Sequence, residues 1–305
     1  MKSKSTGLST LALLNWVALS CALTLSCNLK RGLMQPEPVA PLPPPPPAAP
    51  PSKPEVKAPP PSGEKRALID VADIKAVIEL PKTLRAREGV AIPTGESWFT
   101  VLPGKSPVIV TATHATRAMR EGNFRFADGG GTAALAVALH NVCDVTAVYT
   151  TYDSPSDPNF YDDNAFKAAV AQLIRDSKQT LLLDIHGSHA YRPYDLDIGT
   201  MHGASLQEQP ELADALAAAF RREGIGNISL DWFAAAKNQT MIKFVNGLAI
   251  PSMQLELSIL RISPHESDDA AHRFAQTLQA VAEFLGTLDA CSRINASPRA
   301  SDIAD

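Results

Sequence analysis

Hydrophobic and polar positions divide this chain into segments of two kinds. Pro107–Thr113 and Leu181–His186 are short, mostly apolar runs, which predicts buried strands; Ser97–Leu102 also reads as a strand, and Val145–Thr151 as one with Val145, Ala147 and Tyr149 alternating. Ser252–Ser258 alternates: Met253, Leu255 and Leu257 face one side, and Gln254, Glu256 and Ser258 face the other. Helices are expected at Thr132–Asn141, at Ala165–Ser177 with Phe166, Val170, Leu173 and Ile174 on one face, and at Asp268–Leu285 with Phe274, Leu278, Val281 and Leu285 inward. Pro210 opens a further helix around Leu212, Leu216 and Phe220, and Gly224 closes it. Ile228–Leu230 reads as a short strand, Thr240–Val245 as another, and Val71–Leu80 as a short helix or strand broken by Pro81. Two long polar loops, 115–131 and 189–203, each follow a buried strand. The alternation of strands and helices predicts an α/β fold, a mostly parallel or mixed central sheet flanked by helices.

Composition changes this picture at the ends. Residues 1–27 carry Lys2 and Lys4 ahead of an apolar run, the pattern of a signal peptide, lipoprotein leader or anchor. Cys21 and Cys27 each close a stretch resembling a lipoprotein cleavage box, either being a candidate for lipid attachment. Residues 28–63 form a Pro-rich linker, with an unbroken run from Pro43 to Pro47. Such a segment extends about 3 Å per residue and does not pack a core. Residues 64–290 are long enough for one domain with a large core, and 291–305 read as a disordered tail. An anchor followed by a spacer suits an exported protein of the periplasm or cell surface. A formal net charge of −4 without a basic stripe argues against a nucleic-acid partner. Cys143 and Cys291 could pair outside the cytoplasm or remain thiols.

The candidate chemistry lies where strands end. Leu181-Leu182-Leu183-Asp184-Ile185-His186-Gly187 is a buried run that finishes in polar groups, and Val108-Ile109-Val110-Thr111-Ala112-Thr113-His114 does the same. Ligands of open α/β sheets bind at the carboxyl ends of the strands. Two histidines delivered there suggest a metal site. Catalytic zinc takes about three protein ligands and leaves one position open. His114 and His186 supply two ligands, and Glu121 or Asp128 is the candidate third. Asp184, two residues before His186, is placed to accept the second imidazole N–H, and His189 is a further outer-shell candidate. Glu256 is the candidate general base. Arg117, Arg120, Arg125 and Arg192 are candidates for a substrate carboxylate. The glycines Gly129–Gly131 match neither a dinucleotide fingerprint nor a Walker loop.

Ser106-Pro107-Val108-Ile109-Val110 leading to His114, then Asp128, Leu183-Asp184-Ile185-His186-Gly187, Asp195–Gly199 and Gln254-Leu255-Glu256-Leu257 follow one another in an order that resembles the N-formylglutamate amidohydrolase family. The resemblance spans roughly residues 95–285. It implies a fold like the zinc-dependent carboxypeptidases, one Zn2+ per chain and hydrolysis of an amide on an acidic amino acid. His114 and His186 would be ligands and Glu256 the acid/base. The expected partner is a small acidic N-acyl amino acid or peptide, with membrane attachment through a lipid anchor. Two alternatives stand beside it: a cell-envelope peptidoglycan amidase or peptidase, and a non-catalytic ligand-binding lipoprotein.

Overall fold

A computed structural model describes residues 69–295. The expected leader, Pro-rich linker and end of the tail lie outside the described residues. In chain order the elements are α1 (Val71–Lys75), α2 (Leu80–Arg85), β1 (Phe99–Leu102), β2 (Val108–Ala112), β3 (Ala118–Arg120), β4 (Asn123–Arg125), α3 (Gly131–Cys143), β5 (Thr146–Thr150), α4 (Ala165–Asp176), β6 (Leu181–Ser188), β7 (Leu196–Gly199), α5 (Glu211–Arg222), β8 (Ile228–Leu230), α6 (Met241–Asn246), β9 (Ser252–Ser258), α7 (Asp268–Thr287) and α8 (Ser292–Asn295).

Seven strands form one sheet in the order β1-β5-β2-β6-β9-β7-β8. The centre, β5-β2-β6-β9, is parallel, while β1 runs antiparallel to β5 and β7 antiparallel to β9. The sheet is therefore mixed, and its parallel part is covered on both faces. Val108, Val110, Leu181, Leu183, Met253 and Leu255 pack on one side with α3, α5 and α7. Ile109 and Leu182 pack on the other with Trp98, Phe166, Val170 and Ile242. This is why β2 and β6 read as continuous apolar runs: both side-chain directions enter a core.

Local chemistry sets most boundaries. Asn164, Thr240 and Ser267 cap α4, α6 and α7 by accepting backbone N–H groups with their side-chain oxygens. Pro81, the break in Val71–Leu80, sits in the first turn of α2, where its missing N–H costs nothing. Three expectations are corrected. Thr240–Val245 is not a strand: Thr240 caps α6, and the apolar residues Met241, Ile242 and Val245 fall on one helical face. The 115–131 loop contains the antiparallel pair β3–β4. The 189–203 loop contains β7, whose Leu196 and Ile198 are buried against the core. A four-residue strand that ends in Gly199 is too short to show its period among polar neighbours. Cys143, at the end of α3, is joined to Cys291 by a disulfide, and Ser292–Asn295 continues from it as a helical turn. Among the described residues no helix is long and apolar enough to cross a membrane.

Candidate metal centre

The polar groups gather at the carboxyl edge of β2, β6 and β9. In β6 and β9 they share one face, because Asp184 and His186 alternate with inward Leu183 and Ile185, and Gln254 and Glu256 with Met253 and Leu255. His186 stands directly opposite Glu256 in the parallel β6–β9 register, and Asp184 opposite Gln254. His114 follows β2 by two residues. Asp128 arrives from the end of the β3–β4 excursion, where its backbone N–H donates to the His114 carbonyl (2.8 Å). Gly187 admits it: a Cβ at that position would stand 2.5 Å from the Asp128 carbonyl oxygen.

His114, Asp128 and His186 each offer one ligand atom, all within 4.8 Å of one another, so the three can hold a metal ion. The Nδ1 atoms of the two imidazoles are 3.3 Å apart. Asp128 Oδ2 lies 2.7 Å from His186 Nδ1 and 3.5 Å from His114 Nδ1. Tetrahedral ligands at zinc bond lengths of ~2.0–2.1 Å stand about 3.3 Å apart, so two of the spacings already fit and the 2.7 Å Asp128–His186 contact would open to admit the ion. The far side of each ring points to a carboxylate. His114 Nε2 donates to Asp157 Oδ1 (2.7 Å) and His186 Nε2 to Asp184 Oδ2 (2.9 Å). A carboxylate only accepts, so both Nε2 atoms carry protons and both Nδ1 atoms are directed at the common centre. Asn159 Oδ1 accepts the Met241 N–H (2.6 Å), which fixes that side chain beside His186 at the start of α6.

Electrostatics also call for a cation. Burial alone would push the His186 pKa down, yet Asp184 and Asp128 outweigh it and hold the ring well above the ordinary imidazole range. Burial would raise Asp128, yet His114 and Arg125 hold it well below the carboxylate range. In the metal-free chain a second proton on His186 thus supplies the positive charge between these carboxylates. A divalent ion would replace that proton. Glu256 behaves oppositely: burial and the nearby Asp128 and Asp197 raise it to about 7, against a lowering by His186. Gln254 Nε2 donates to its Oε1 (2.8 Å).

The other sequence candidates separate. Glu121 sits on the exposed turn between β3 and β4 at φ +51°, its N–H donating to the Tyr161 hydroxyl, and is not brought to the histidines. His189 is exposed and stacks on Tyr191 (5.0 Å) instead of backing either imidazole. Three of the four arginines already hold carboxylates: Arg117 pairs with Asp153, Arg120 with Asp157 and Arg125 with Asp128. Arg192 has no ion pair among the described residues and lies over the Tyr191 and Phe233 rings. Asp157 and Asn159 were missed by sequence reasoning. They belong to a Pro-punctuated polar loop with no period, and only Asp157's pairing with both His114 and Arg120 distinguishes it. A cleft of about 870 Å3 lies over the cluster, lined by His114, Asp128, His186 and Glu256 and continuing to Arg192 and Trp232.

The class these features define is an α/β protein with a mixed seven-stranded sheet and a His–Asp–His group at the strand ends. Hydrolases and amidases are among its structural neighbours. An N-formylglutamate amidohydrolase from Ralstonia eutropha has a TM-score of 0.48 at 14% identity, covering 65% of this chain and 99% of that one. A bacteriophage poly-gamma-glutamate hydrolase gives 0.40 at 15%, covering 66% and 97%. The N-acetylmuramyl-L-alanine amidase of Mycobacterium smegmatis gives 0.36 at 13%, covering 61% and 99%. No protein-family model matches the chain, and no curated protein does.

Proposed function

We propose that the chain is a zinc-dependent hydrolase of amide bonds, acting on N-acyl amino acids or peptides. The observation that carries this reading is the convergence of two imidazole Nδ1 atoms and one carboxylate oxygen, with each imidazole backed by its own buried aspartate. His114, His186 and Asp128 hold the ion. Bound there, zinc would act as a Lewis acid toward an amide carbonyl and would acidify water. Asp157 and Asp184 keep both rings in the ligating tautomer. Glu256, with a pKa near 7, is the acid/base: it takes a proton from the attacking water and returns it to the leaving nitrogen. Its position opposite His186 supports that role. Arg125, bonded to Asp128 and lining the same cleft, presents a guanidinium close to where carbonyl charge would develop. The Cys143–Cys291 disulfide supports an exported, cell-envelope setting.

The test is metal content of the purified full chain beside His114→Ala/His186→Ala, followed by hydrolysis of N-formyl and N-acetyl amino acids. About one zinc per chain, absent from the variant, together with zinc-dependent amide cleavage is expected. A wild-type chain that takes up no metal from excess zinc would sink the proposal.

A further inference from the structure

The far wall of the cleft is not used by the chemistry above. Two of its aromatic residues are open to solvent, Trp232 at 57% and Phe233 at 37%. Aromatic rings left this open on a mobile loop would mean little. Here the backbone that carries Trp232 and Phe233 is fixed. Asp197, fully buried on β7, accepts the backbone N–H of Trp232 at Oδ1 (3.0 Å) and that of Phe233 at Oδ2 (2.8 Å), and Ser229 Oγ also donates to it (2.7 Å). Asp231 makes the reciprocal clamp, accepting from Thr200 N (2.6 Å) and Thr200 Oγ1 (2.8 Å). Asp231 and Ala235 hold φ of +58°, a left-handed conformation that non-glycine residues keep only where their surroundings dictate it. Gly199 is needed for the same contact, since a Cβ there would meet the Phe233 carbonyl oxygen at 2.4 Å.

The wall is also not dry. The Arg192 guanidinium lies over Tyr191 and Phe233, 5.5 and 4.9 Å from the ring centroids, and Lys237 and Asn238 line the same cleft. An alkyl chain would leave these donors unpaired, which is costly once water is excluded. A pyranose ring suits both features: its C–H face lies on an aromatic face and its hydroxyls and acetamido oxygen accept from the cations at the edge. We propose that Trp232, Phe233 and Arg192 form a saccharide subsite, so that the preferred amide is borne by a sugar and is not a free acyl amino acid. The choice of substrate rests on the hydrolase reading; the subsite itself does not.

The test compares N-acetylmuramyl-L-alanine with N-lactoyl-L-alanine, which keeps the same amide and lacks the ring. Calorimetry on the full chain with a chelator present measures binding without turnover. The muramyl compound is expected to bind at least tenfold tighter, and Trp232→Ala and Phe233→Ala are expected to reduce that ratio toward one while N-lactoyl-L-alanine binding stays as it was. Unchanged melting of Trp232→Ala, whose side chain is exposed, separates loss of the subsite from loss of fold. Equal binding of the two compounds, no measurable binding of the muramyl compound, or a ratio that survives both substitutions would overturn the subsite. Zinc-loaded protein that binds the muramyl compound but cleaves neither these amides nor the N-formyl and N-acetyl amino acids would instead overturn the hydrolase reading and leave the subsite standing.

Discussion

His114 and His186 end in the same chemical situation by different routes. Each directs Nδ1 at the common centre and gives Nε2 to a buried aspartate. At the β6 end the partner is local: Asp184 is two residues earlier on the same strand, so strand geometry alone puts it on the His186 side, and Thr111 of the neighbouring strand fixes its other oxygen (2.7 Å). At the β2 end the partner is distant. Asp157 is 43 residues on, in a loop, and is held by Arg120 (2.6 and 2.9 Å) and the Asn159 N–H (2.8 Å). A strand can preorganise a ligand with two residues. A ligand beyond a strand end needs a loop that is itself fastened, and here that fastening is an ion pair with a cation from β3. The arginines after His114, which the sequence suggests as substrate binders, are partly that fastening.

The largest effect should come from removing both sides. His114→Ala/His186→Ala should abolish zinc binding and lower amide hydrolysis by roughly 10³-fold or more, measured by metal analysis and turnover. Glu256→Gln tests whether the β9 group belongs to catalysis and not to binding: turnover should fall about 10²–10⁴-fold with zinc content intact. If zinc falls with it, Glu256 is a ligand and the comparison needs a third end. Asp157→Asn and Asp184→Asn break the two supports separately, and each should weaken zinc about 10–100-fold in a chelator competition. Asp157→Asn should cost more, because it also leaves Arg120 without its carboxylate. Equal losses would mean that loop and strand hold their ligands equally well.

The last effect is on stability and not on zinc or turnover. Glu256 has a folded pKa of about 7 against an ordinary 4.5, so the folded metal-free chain binds its proton more tightly than the unfolded chain does. That contribution is full below pH 4.5 and is lost as pH rises through 7, on the order of 3 kcal/mol. The melting difference between wild type and Glu256→Gln, taken in chelator, should therefore shift in favour of the variant from pH 5 to pH 8. A difference that does not change with pH would mean that Glu256 is not held in an environment that penalises its charge.

Much of this was legible in the chain. The apolar runs of β2 and β6 announce strands with two covered faces, since only such strands can dispense with alternation. The strict alternation of 252–258 put Glu256 on the face opposite Met253 and Leu255, as found. Less legible were short elements with strong neighbours. The helix α6 was hidden because Met241, Ile242, Phe244 and Val245 give a run too short to separate a period of 3.6 from an extended segment, and only the Thr240 cap decides it. The strand β7 was hidden in a polar loop because its burial depends on pairing with β9.

By itself the sequence determined the fold class, the two strand-end histidines and Asp184, because those follow from periodicity and from contacts two residues apart. Only the tertiary structure chose Asp128 over Glu121, supplied Asp157 and Asn159, joined Cys143 to Cys291 and separated Arg192 from the three arginines that pair with carboxylates. Those choices depend on where loops return in space. A loop's path is set by what it docks against — the gap beside Gly187, the carbonyl of His114, the carboxylate of Asp197 — and none of these lies near it in sequence.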